Sequence, residues 1–124
     1  MNIIEAITRL DALKLNTYKK DDKVEWLSRL DSMVKEQIID AHEGAEAVSF
    51  SGYTAETPTD TVLLVPAPYD EVYLRWMEAQ IDYHNREYDT YNNAIIMFNT
   101  AFEAYQRHYN STHTPVQRGR RFLF

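Results

Sequence analysis

Four histidines, His42, His84, His108 and His113, are the side chains best suited to bind a metal or move a proton. None stands in the HExxH arrangement that sets two imidazoles on one helix face. His84 with Glu87, and His42 with Glu46, have helical spacing and read as surface pairs. Ser28, Ser32, Ser49, Ser51 and Ser111 lack the glycine-framed elbow that exposes a hydrolase nucleophile, and the three glycines form no phosphate-cradling loop. Asp21 beside Asp22, and Asp70 beside Glu71, sit where helix starts favour negative charge. Cysteine is absent, which removes thiolate and disulfide chemistry. The chain therefore reads as non-enzymatic, with no catalytic residue, metal ligand or cofactor expected.

The spacing that stands out is polar. Asn85, Asn92 and Asn99 fall seven residues apart, preceded by Glu78 and continued by Gln106. Asparagine is a mediocre helix former, so this series reads either as a hydrophilic border or as an amide ladder across a subunit boundary. Trp26 lies off the apolar line of its helix, so it either widens the buried face or meets another subunit. Tyr53, in a β-prone stretch, joins Trp26 and the asparagines as a candidate subunit contact. At the end of the chain, Arg118, Arg120 and Arg121 lead into Phe122, Leu123 and Phe124, a basic and aromatic combination suited to docking on a partner.

The elements that position these groups are mainly helical. Asn2 followed by Glu5 has capping-box spacing and predicts a helix over about 2–14. Val24, Leu27, Leu30, Val34, Ile38 and Ala41 predict a second over 18–43, with Gly44 as a left-handed terminator. Between 45 and 67, Val48, Phe50 and Tyr53, and then Thr61 to Val65, predict two short strands in a β-hairpin-like, mobile loop.

Tyr69 to Tyr109 runs forty-one residues without glycine or proline and holds seven of the nine tyrosines. Tyr69, Tyr73, Trp76 and Tyr83 keep a heptad-like rhythm. The later row of Tyr88, Tyr91, Ile95, Phe98, Phe102, Tyr105 and Tyr109 keeps it displaced by one residue. Tyr73, Trp76, Tyr91, Ile95, Phe98 and Phe102 are the expected core seam. The displacement predicts a bend or a break near residue 86, giving one long helix or two over 69–109. Residues 110–124 form the C-terminal tail, and the whole reads as a single domain, a small helical bundle with that loop and an extended tail.

Residues 1–109 carry ten Lys and Arg against nineteen Asp and Glu, a formal −9, whereas the tail carries three arginines and no acid. An acidic body disfavours a nucleic-acid-binding face, which gains affinity by replacing phosphate counterions. Glu5, Arg9, Asp11 and Lys14 interrupt the apolar core that a signal peptide needs, and no stretch approaches the ~20 apolar residues of a membrane span. The chain reads as intracellular.

The stretches LDALKLNTYKKDDKVEWLSRLD and LLVPAPYDEVYLRWMEAQIDYHNREYDTYNNAIIMFN, with the closing RGRRF, resemble small proteins encoded in the structural-gene clusters of phages and prophages of Gram-positive bacteria. The order of elements is similar to that of head-tail connector (adaptor, neck) proteins of tailed phages. This resemblance implies a homo-oligomer, usually a dodecameric ring, assembled in the host cytoplasm and built into the virion neck. Such a ring binds beneath the portal protein and receives the next neck, stopper or tail protein. DNA passes through its channel without specific binding, and no membrane is involved. The resemblance makes Arg118 to Phe124 the portal-docking tail and 48–65 a loop that rearranges on assembly. An acidic lumen would repel DNA phosphates and let the duplex slide. The other class of function open to this sequence is a small helical regulatory module that binds a phage or host protein.

Overall fold

Asn2 starts the first helix as expected, because its side chain accepts from the Glu5 amide at 2.9 Å while the Glu5 carboxylate accepts from the Asn2 amide at 3.0 Å. The computed structural model describes residues 1–116, and its helices are α1 (Ile3–Leu13), α2 (Lys20–Gln37), α3 (Glu71–His84) and α4 (Tyr88–Thr112). The second helix is shorter than expected: after Gln37 the chain tightens into a 3₁₀ turn at Ile39–Ala41, and Gly44 then takes a left-handed φ of 86°. In the connection before α2 the Asn16 side chain accepts from the Tyr18 amide at 3.2 Å. Helix α3 is central. It contacts α1, α2 and α4, whereas α4 leans chiefly on α3.

The core is drawn from all four helices and from Leu63 and Val65, and includes Ile3, Leu10, Leu27, Leu30, Val34, Met77 and Ile81. Two partly buried ion pairs tie α1 to its neighbours, Lys23 to Asp11 at 2.7 Å and Lys14 to Asp82 at 2.7 Å. Burial raises the Asp11 carboxyl, but the bonds from Lys23 and Asn16 prevail and hold it below the usual range.

The aromatic run is two helices. Asn85 caps α3, and the chain leaves it by a Schellman turn in which the Glu87 amide donates to Asp82 O at 2.9 Å and the Arg86 amide to Tyr83 O at 3.1 Å. Arg86 occupies the left-handed position with φ 61°, a conformation that costs a side-chain-bearing residue ~1–2 kcal/mol. Replacing Arg86 with glycine is expected to raise stability by about 1 kcal/mol, read from the urea midpoint. After the turn the two helices run antiparallel, with ring contacts Tyr83–Tyr91, Trp76–Phe98 and Tyr69–Tyr105 marking successive levels.

The expected seam holds in α4, where Phe98, Tyr105 and Tyr109 are buried and Tyr91, Ile95 and Phe102 partly so. In α3 it needs correction. Tyr73 is fully enclosed, but the core there is built by Val72, Leu74, Met77 and Ile81, while Trp76 is half-buried and Tyr83 is exposed. A helix covered on several sides has no single apolar line for a heptad reading to find.

The two expected strands of 45–67 do not form, and among the described residues there is no strand at all. Residues 45–47 make a 3₁₀ turn, and the later segment lies along the N-terminus: Leu63 donates to Met1 O at 3.0 Å and Ile3 to Thr61 O at 3.1 Å, around a bridge between Asn2 and Val62. Partners elsewhere take the ladder. Tyr53 N donates to Ser28 Oγ at 3.0 Å, Leu64 N to Asp31 and Val65 N to the Tyr73 hydroxyl, so each stretch is bonded to the helices rather than to the other.

Candidate functional sites

The most concentrated polar grouping was not expected. Asp31 sits on the buried face of α2 at 0% exposure, in register with Leu27, Val34 and Ile38. Its Oδ1 accepts from the Tyr73 hydroxyl at 2.6 Å, and its Oδ2 accepts from the Tyr53 hydroxyl at 2.5 Å and the Leu64 amide at 3.1 Å. The Tyr73 hydroxyl in turn accepts from the Val65 amide at 2.7 Å. One carboxylate thus joins α2, α3 and both ends of the 48–65 segment. Burial pushes the Asp31 carboxyl above the ordinary range although these donors pull the other way. Burial, with the carboxylate beside them, also raises both hydroxyls, so Tyr53 and Tyr73 stay protonated donors. A charged residue at a stripe position of an amphipathic helix is the one sequence signal that could have pointed to this site, and the apolar line expected for α2 leaves it out.

Each histidine packs against an aromatic ring. His84 stacks on Trp26 with centroids 5.6 Å apart, His108 stacks on Tyr69 at 4.7 Å, and His113 lies parallel to Tyr109 at 3.7 Å. His42 is buried, bonds Ile38 O through Nδ1 at 2.6 Å and meets the Tyr109 ring edge-on. Neither expected pair forms: Glu87 instead accepts from Asn85 at 3.2 Å, and no bond joins His42 to Glu46 among the described residues. No grouping of three or more potential metal ligands occurs among those residues, nor is any helix there long and apolar enough to cross a membrane.

Of the candidate subunit contacts, Trp26 takes the first of its two readings and widens the buried face of α2, while Tyr53 is held within the chain through its hydroxyl. Trp26 is 4% exposed, packed by Tyr18 and His84, and its carbonyl accepts from the Trp76 indole at 2.8 Å. Tyr53 is half-buried with its hydroxyl committed to Asp31. Asn85 is parted from its two counterparts because the Schellman turn takes it off α4, where its side-chain oxygen accepts from the Tyr18 hydroxyl at 2.5 Å. Asn92 and Asn99 do remain exposed on one flank of α4.

The residues of the proposed docking tail, Arg118, Arg120, Arg121, Phe122, Leu123 and Phe124, lie outside the described residues. Its root is fixed. Glu43 N donates to Thr114 O at 2.8 Å and Val116 N to Ala41 O at 2.9 Å, around a bridge between His42 and Pro115. The Tyr109 and His113 rings stack on each other beside this strap, which sets residues 114–116 against 41–43.

Comparison with known protein families, with curated proteins and with solved structures found no match.

Proposed function

We propose that this chain is a structural component of the neck of a tailed phage, a connector that bridges the portal to the next neck or tail protein and works by binding rather than by catalysis. The reading rests on the likeness of residues 10–31, 63–99 and 118–122 to small proteins of phage structural-gene clusters, and on an order of elements similar to that of head-tail connectors. The structural observation that carries it is the strap at 114–116, which fixes the root of a basic, aromatic peptide to the edge of an acidic helical body. A tethered peptide loses less freedom on docking than a free one, and arginines beside aromatic anchors suit a partner that offers carboxylates around an apolar pocket.

The test is co-sedimentation with portal assemblies. A chain ending at residue 116 is expected to keep the thermal midpoint of the full chain and to lose most portal binding, at least ~tenfold in affinity for a lost hot-spot anchor. Equal binding of the two chains would exclude the tail as the docking element.

A further inference from the structure

The row of α4 that faces α3 is centred on Phe98. The opposite, outward face therefore carries the residues half a turn away, and it has no partner among the described residues. Along its midline stand Asp89, Ile96, Thr100 and Arg107, all exposed, with Ile96 at 61%. Asp89 and Arg107 are eighteen positions apart, which at ~3.6 residues per turn is five turns, so they share one meridian. Ile96 and Thr100 divide that interval symmetrically, seven residues from either end. Neither Asp89 nor Arg107 makes an ion pair with another described residue.

We infer that two copies of this chain pair through the outward faces of α4, antiparallel, about a two-fold axis at the level of Phe98. In that register Asp89 of each copy meets Arg107 of the other, and Ile96 stands beside Thr100 at the centre. The face is self-complementary, as an isologous contact requires. Alternatives are disfavoured by charge: parallel pairing sets Asp89 against Asp89, and a one-turn slip of the antiparallel pair toward the N-terminus sets Asp89 against Glu103. This inference does not depend on the neck assignment, since a two-fold pair of free chains is distinct from the head-to-tail contacts of a ring.

Sedimentation equilibrium of the full chain tests it, with circular dichroism confirming that each exposed-site variant stays folded. The parent is expected to show a monomer–dimer equilibrium. Asp89→Arg or Arg107→Asp alone sets like charges together at two places and is expected to weaken the dimer by ~tenfold or more at low salt. The double reversal, Asp89→Arg with Arg107→Asp, restores opposite charges and is expected to return affinity to within about threefold of the parent. Ile96→Asp is expected to leave monomer. A parent that is monomeric throughout, masses that grow beyond two copies, or a double reversal as weak as the single changes would each overturn the pairing, and none of those outcomes bears on portal binding.

Discussion

Asp31→Ala is expected to lower the free energy of unfolding by about 3 to 5 kcal/mol, because it strands two hydroxyls and an amide in a site that excludes water. The loss should appear in the urea midpoint. Asp31→Asn keeps the shape and part of the acceptor capacity and is expected to cost less. The same pair of proteins carries a pH signature. Burial holds the folded-state pKa of Asp31 above its unfolded value, so the native protein binds that proton more readily than the unfolded chain. The Asp31 contribution is therefore full below the ordinary carboxyl pKa of about 3.9 and is lost as pH rises through the folded value. The stability of the parent relative to Asp31→Asn should accordingly fall as pH rises above about 4. A difference that grows with pH would mean that the hydroxyl and amide donors outweigh burial.

Phe98→Ala is the second large effect. Phe98 is buried where α4 meets α3, with its ring centroid 4.9 Å from Trp76 and 5.6 Å from Phe102. Truncating it empties the middle of the helix pair and is expected to cost about 3 to 5 kcal/mol. Tyr91→Ala, one level nearer the turn and only partly buried, should cost clearly less. Asn99→Ala, on the exposed flank, should change folding by no more than about 0.5 kcal/mol. That order, measured by chemical denaturation of dilute monomer, separates the internal seam of α4 from its outward face. A Phe98→Ala variant as stable as the parent would place the seam elsewhere.

What could be read in the sequence were features set by local spacing. The Asn2–Glu5 box, the apolar line of α2 and the one-residue slip that breaks the aromatic run all act within a turn or two of helix, and each appears where the residues place it. Features set by distant partners were not legible. The β-prone 61–65 run forms no ribbon because Met1, Asp31 and Tyr73 claim its amides, and those acceptors lie far away in sequence. Asp31 itself was hidden because a charged residue on an apolar stripe makes sense only once Tyr53, Tyr73 and Leu64 are known to surround it. Trp26 left two readings open, and the stacking of His84, again distant in sequence, settles it as internal. Most of the ring surface is covered within the chain: Trp26, Tyr73, Phe98, Tyr105 and Tyr109 are buried, and Tyr83 and Tyr88 are the tyrosines of the run left mostly exposed. The case for partners therefore rests on the α4 outer face and the tail, not on the amount of aromatic surface.

The most direct measurement is electron microscopy of purified portal assemblies mixed with this chain. The neck assignment predicts a ring of added density at the portal's narrow end with the full chain, and a bare end with the chain that stops at residue 116. Portals left bare by the full chain at saturating concentration, while it remains folded, would contradict it.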